Sequence, residues 1–363
     1  MKHALSLPKI AGISIYIHWT FAILIAWIIF SNLRAGLDAV HIGWSILFVL
    51  SLFVCVTLHE LGHALAAKRY GIKTTDITLY PIGGVARLEK MPENPKHELV
   101  VALAGPLVNV VIMLLLLPVI FGFAWPENEE AQRTFVIDQS SFLPMLGVVN
   151  VWLALFNLIP AFPMDGGRVL RALLSMQLNR VKATEVAATI GQIIAIGFVF
   201  AGFYLNPFLI FIGLFIILGA RTEAEMVKSQ SFLQGYTARD AVMTNYQALD
   251  RNQSVGDAVR LLLDGEAKNF LVNEEGRPYG VLNRDHIIRG IQTAGESAPI
   301  HTVADTNLLY TDIAMPLQEV MLKFQQSKQT IILVQDRGEL VGIIDLDNIS
   351  ELIMVNAARG RTT

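Results

Sequence analysis

Residues Gly43–Ala66 read GWSILFVLSLFVCVTLHELGHALA, an apolar run broken near its end by His59, Glu60 and His63. Crossing a hydrocarbon core takes about 20 apolar residues in a helix, so the run is long enough to span a membrane. On a helix, positions four apart share a face. His59 and His63 can therefore present both imidazoles to one metal ion, with Glu60 beside them to accept a proton from water. Zinc suits two nitrogen ligands and a carboxylate, its fourth position being left to water or substrate. Burying two histidines and a glutamate in such a run is costly unless they are compensated, and ionisable residues at that depth mark function by default. The alternative is satisfied polar packing between helices.

Composition supports a membrane setting. Of 363 residues, 53% are hydrophobic and 16% charged, against about 25% charged in soluble domains; the mean hydropathy is +0.49. A net charge of −3 argues against a nucleic-acid partner. The single cysteine, Cys55, excludes an internal disulfide and any zinc site built on paired cysteines. It reads as a small buried hydrophobe. Lys2 and Lys9 precede a long apolar stretch with no small-residue cleavage site after it, so the stretch reads as a retained anchor rather than a signal.

Candidate spans are Ser14–Ser31, Gly43–Ala66, Leu99–Phe123, Phe142–Leu174, Ala183–Leu205 and Pro207–Ala220. In this scheme most lysines and arginines up to Arg221 fall on one side. The other side keeps Arg34 and Arg133, in a region made acidic by Glu127, Glu129 and Glu130. The positive-inside rule then puts both termini, and everything after Arg221, in the cytoplasm of a multi-pass protein of the cell membrane. Between the second and third spans, Lys73–Met91 carries Thr74, Thr75, Ile77, Thr78 and Val85 around Pro81-Ile82-Gly83-Gly84, which predicts short strands and a turn.

The fourth segment is too long and too broken for one helix, since Pro160, Pro163, Gly166 and Gly167 interrupt it. Irregular backbone survives in a membrane only where protein or a water-filled cavity satisfies it. Asp165 is the acidic residue of this stretch, and the unwinding lets its carboxylate turn toward a metal as third ligand. Asp165 can also cap the restarted helix, and both roles are compatible, but the ligand role is the stronger because the metal otherwise lacks a third protein ligand. Asn109 reads as a packing residue that ties neighbouring helices, and Asn150 has no role assignable from sequence.

After Arg221 the composition becomes soluble. Val255–Asp285 and Leu317–Asp347 align without a gap at an offset of 62 residues, matching Gly276 with Gly338 and Gly280 with Gly342. Each copy predicts a helix, an apolar strand (Phe270–Val272; Ile331–Val334), a turn, a second strand and a helix.

The combination of His59–His63 with Asn157–Gly167 resembles the site-2 protease family, whose HExxH and NxxPxxPxDG motifs form one zinc site. Gly105-Pro106-Leu107-Val108-Asn109 is similar to that family's GPxxN signature, and the likeness covers roughly residues 10–220. The resemblance implies that His59, His63 and Asp165 bind one Zn2+, that Glu60 is the general base, and that Asn157 orients the substrate carbonyl or stabilises the oxyanion. It also implies substrates that are transmembrane proteins, cut in or near their membrane segments, and a strand edge near Gly83-Gly84 that pairs with them.

The duplicated region resembles a tandem of cystathionine-β-synthase-type (CBS) domains. That resemblance implies an adenine nucleotide ligand, cytoplasmic regulation and a homodimer formed through the modules. Asn283 and Asp345 stand where the family's GhxTxxD signature has threonine, and Asp285 and Asp347 fall one position early. The expected fold is thus a polytopic α-helical membrane protein of about six spans, with a small membrane-associated β segment, followed by a soluble α/β CBS pair. The expected divisions are 1–222, 236–293 and 300–356. A membrane metal transporter with a CBS regulatory module is the alternative, but transport has no need of Glu60 between the histidines, and no inverted repeat is visible.

Overall fold

A computed structural model describes residues 4–81, 83–89, 91–122, 137–265, 267–327 and 329–358. Lys2, Lys90, Phe123, Glu127, Glu129, Glu130 and Arg133, used in the topology argument, lie outside them. The chain divides into two compact units, Met1–Val227 and Lys228–Thr363.

The first unit opens with an expectation overturned. The segment read as the first span starts as a strand: β1 (Ala4–Ile10) and β2 (Ile13–His18) form an antiparallel hairpin, and helix α1 begins only at Phe21 and ends at Arg34. The reason is a period of two. Ile13, Ile15 and Ile17 alternate along β2, and the first two are buried against Leu61 and Ala64 of helix α2 (Ala39–Arg69).

β2 pairs in parallel with β3 (Thr74–Tyr80), and β3 pairs antiparallel with β4 (Gly83–Leu88), giving the sheet order β1-β2-β3-β4. A parallel pair needs a long crossover, and α1 with α2 supplies it. The predicted strands between the second and third spans are thus present, inside a larger sheet whose buried face rests on α2 at Leu61 and Ala64, beside His59 and His63.

Helix α3 (Pro95–Gly122) packs along α2. The broken segment resolves into α4 (Phe142–Asn157), an irregular stretch at 158–164, and α5 (Asp165–Leu174). The irregular stretch is covered by protein at its centre, while Leu158, Pro160 and Pro163 are exposed. Ala161 and Phe162 are fully buried among α6 (Arg180–Tyr204) and α7 (Phe208–Phe232). Among the described residues, α2, Pro95–Pro118 of α3, and α6 are long and apolar enough to cross a membrane; α1 and α4 are apolar but shorter. The sixth predicted span, Pro207–Ala220, lies in α7 apart from its first residue, and that helix runs on to Phe232.

The second unit follows the internal repeat. One copy has α9 (Val255–Asp264), β6 (Asn269–Glu274), β7 (Arg277–Asn283) and α10 (Arg284–Ala294). The other has α11 (Leu317–Gln326), β9 (Ile331–Asp336), β10 (Glu339–Asp345) and α12 (Leu346–Ala358). Short strands β5 (Ala248–Asp250) and β8 (Tyr310–Asp312) complete two three-stranded sheets, and a four-residue helix, α8 (Ala238–Ala241), precedes them.

Gly280 and Gly342 lie where each copy receives the other's backbone. Val281 exchanges hydrogen bonds with Asp305, and Ile343 with Met243. A Cβ on Gly342 would fall 2.2 Å from the Met243 carbonyl oxygen. The departures from the CBS signature also have a structural role: Asn283 and Asp345 accept from the backbone N–H groups of His286 and Asn348, each at 2.9 Å, at the starts of α10 and α12. Asn and Asp are strong helix N-caps.

Candidate metal centre

The site is assembled from α2, α3 and α5. His59 and His63 lie one turn apart on α2, and Asp165 is the first residue of α5. All three are buried, with 7%, 5% and 5% exposure. Their donor atoms form a nearly equilateral triangle: the two Nε2 atoms are 3.1 Å apart, and Asp165 Oδ2 stands 3.1 Å from His63 Nε2 and 3.3 Å from His59 Nε2. Tetrahedral zinc with bonds of about 2.0–2.1 Å needs donors about 3.3 Å apart, so the donor set and its spacing fit that ion. The N-cap of α5 is Met164, so Asp165 is not itself the cap. Its Oδ2 faces the histidines, while Arg168 Nη1 stands 3.7 Å from Oδ1.

Each imidazole is oriented from behind. His63 Nδ1 donates to the Val101 carbonyl oxygen at 2.7 Å, since a carbonyl only accepts; this leaves Nε2 without a proton and free to ligate. His59 Nδ1 lies 2.6 Å from Asn109 Oδ1 and donates to it. Asn109 Nδ2 donates to Asn150 Oδ1 at 3.0 Å, and Asn150 Nδ2 donates to Leu146 O at 2.8 Å. This chain fixes the tautomer of His59 and gives Asn109 and Asn150 their roles. Reading Asn109 as packing alone was incomplete. The available signal was the one used for the histidines, a polar side chain deep in an apolar run.

Glycines admit the close approach. A Cβ on Gly62 would meet Ala104 O at 2.8 Å, so α2 and α3 touch backbone to backbone beside the motif. A Cβ on Gly105 would lie 2.1 Å from His63 Nε2 and 2.7 Å from His59 Nε2. The space facing the donor nitrogens is thus a cradle that one methyl group would fill. Glu60 lies under β4, where a Cβ on Gly84 would come within 2.8 Å of its Cγ. Asn157, at the end of α4, is not brought into this group; its Nδ2 donates to Leu153 O of its own helix at 3.0 Å.

Two histidines and an aspartate converge beside an apolar helix, with a glutamate next to them, and such a donor set could hold a metal ion. Comparison with known proteins supplies the family. Residues 47–136 and 127–201 match peptidase family M50, and residues 238–293 and 300–355 each match the CBS domain. A zinc metalloprotease of Methanocaldococcus jannaschii is 34% identical over 356 residues, covering 96% of each chain. The solved structure of a site-2 protease from the same organism shares 40% identity, covering 61% of this chain and 95% of that one, with a TM-score of 0.45. The chain belongs to peptidase family M50, the site-2 proteases, and is a zinc metalloendopeptidase that carries a tandem of CBS domains.

Proposed function

We propose that this enzyme is an intramembrane endopeptidase, hydrolysing peptide bonds in or near the transmembrane segments of other membrane proteins. His59, His63 and Asp165 hold one zinc ion in this reading, and the observation that carries it is the triangle formed by the two histidine nitrogens of the apolar helix α2 and the Asp165 carboxylate at the start of α5. Zinc, when bound, supplies Lewis acidity and acidifies water. Glu60 would take a proton from the attacking water and return it to the leaving amide nitrogen. Asn157 turns from Leu153 O to donate to the substrate carbonyl oxygen as charge develops on it.

A helical substrate hides its carbonyls in hydrogen bonds, so it must be extended to be cut. β4 is an edge strand of its sheet and contacts Glu60 through Gly84, so a substrate strand added to β4 lies beside the base.

The finer arrangement belongs to the same proposal: about six spans in the cell membrane, with both termini and the CBS pair cytoplasmic, and functional divisions at 1–222, 236–293 and 300–356. The pair regulates the protease and dimerises through apolar surface such as Ile288, Ile291 and Met354, which are exposed. A cavity of about 870 Å³, lined in part by Lys268, Asn269, Asp345 and Asp347, is the place to test for an adenine nucleotide. Its Lys268 ammonium donates to Asp347 at 2.9 Å, and that carboxylate holds the lysine above its ordinary pKa range. The deciding experiment is Glu60→Gln in the full chain, reconstituted with a membrane-protein substrate. Zinc is retained and cleavage abolished; cleavage that survives refutes the role of Glu60, and zinc transport that persists without cleavage in the wild type favours a transporter.

A further inference from the structure

A second buried polar cluster lies in the first unit. Arg171, on α5, has no exposed surface. Its Nε donates to Glu98 Oε1 of α3 at 2.8 Å, with Nη2 on the same oxygen, and its Nη1 donates to Glu223 Oε1 of α7 at 2.6 Å. The guanidinium carbon stands 5.0 Å from the centre of the Phe162 ring. Arg180 of α6 places Nη1 3.5 Å from Glu98 Oε2 and donates to Pro92 O at 2.7 Å. Four helices thus meet on two positive and two negative charges.

Burial of these groups is weak evidence for stability, because well-packed apolar side chains often replace a buried ion pair without loss. What a guanidinium adds is direction: its planar fork fixes both carboxylates, and so the helices that carry them. α5 has only ten residues. Its N-terminal turn is wedged on the irregular stretch, where a Cβ on Gly166 would come within 2.2 Å of Ile159 O. At 1.5 Å per residue, Arg171 grips the helix about 9 Å from Asp165. One end of α5 therefore carries the carboxylate that faces the histidines, and the other is pinned to α3 and α7. α7 is also the helix that leaves the first unit, whose last residue is Val227.

We propose that Arg171 is a positioning residue for the metal site. Through Glu98 and Glu223 it holds the Asp165 helix to α3 and α7, so the grip on zinc depends on where α7 stands. The inference rests on Asp165 being a metal ligand, and one experiment separates the two. Zinc affinity is measured on the full chain in detergent by competition with a chromophoric chelator, alongside thermal unfolding of the metal-free protein.

Glu223→Gln keeps the side-chain volume and Arg171→Lys keeps the charge without the fork. Each is expected to lower zinc affinity about tenfold, the low end of the cost of losing a partner behind a ligand, while metal-free Glu223→Gln, in which Arg171 keeps Glu98, still unfolds cooperatively, at a temperature lowered by the weakened ion pair. Glu223 is 19% exposed at its side chain, so its variant tests the idea even if Arg171→Lys fails to fold. Wild-type zinc affinity in Glu223→Gln, with zinc lost in Asp165→Asn, overturns the inference and leaves the ligand reading intact. Zinc retained at wild-type affinity in Asp165→Asn overturns the ligand reading itself.

Discussion

Gly105→Ala tests the proposed metal centre without replacing a ligand or the base. The added Cβ would stand 2.1 Å from His63 Nε2, 2.5 Å from its Cε1 and 2.7 Å from His59 Nε2. Ordinary contact begins near 3.4 Å, so the His63 ring would have to retreat by about 1.3 Å. A metal constellation tolerates only about 0.5 Å of misplacement. His63 cannot simply shift, because its Nδ1 is tied to Val101 O and α2 is in contact with α3 at Gly62.

The fold is far less exposed to the same methyl group. Overpacking costs about 1–3 kcal/mol, and alanine regains about 1 kcal/mol over glycine inside a helix. The metal-free protein is therefore expected to unfold within about 2 kcal/mol of the wild type. Its zinc affinity is expected to fall at least about a thousandfold, roughly 4 kcal/mol. Chelator competition, zinc content after gel filtration and cleavage of a membrane-protein substrate read the two effects separately. Wild-type zinc affinity in Gly105→Ala would refute the reasoning, since the donor nitrogens would then not face this helix at close range.

Other substitutions probe the layers around the donors. Asn109→Leu removes the acceptor of His59 Nδ1 and is expected to weaken zinc binding about 10- to 100-fold, measured by the same competition; unchanged affinity would reduce Asn109 to packing. Gly84→Ala pushes a Cβ within 2.8 Å of Glu60 Cγ, so cleavage should fall about 100-fold with zinc retained. Parallel loss of zinc and activity in that variant would show that β4 supports the ligands rather than the base.

What could be read in the sequence was whatever local spacing encodes. The pair His59 and His63 needs only a helical period, and the strands around Gly83 need β-branched residues beside a turn. The 62-residue repeat survives as two helix–hairpin–helix copies because each copy folds largely on nearby contacts. The first strand pair was missed because a short apolar run does not declare its period. Ile13, Ile15 and Ile17 do alternate, but so short a run merges with the apolar α1 that follows it, and pairing with β1 and with β3, about 60 residues on, is what holds it as a strand. The partner of Asn109 is 50 residues away and that of Arg171 is 73. Such contacts leave no pattern in a single sequence beyond a polar residue in an apolar setting.

The separation of donors from cradle bears on what makes this site a metal site at all. HExxH on a helix offers two nitrogens and a carboxylate to whatever lies opposite. Here that is the backbone of α3 at Gly105, with the α2–α3 contact closed at Gly62 and β4 seated on Glu60 at Gly84. In a membrane, helices associate through small residues rather than through expulsion of water. The same glycines that let α2 and α3 meet therefore leave one open volume beside the histidines, into which Asp165 turns from a helix start. A copy of the motif facing a side chain instead would keep its ligands and lose the room for an ion. Gly105, which faces His59 and His63, is accordingly as much a part of the proposed metal centre as its ligands, which Gly105→Ala puts to the test.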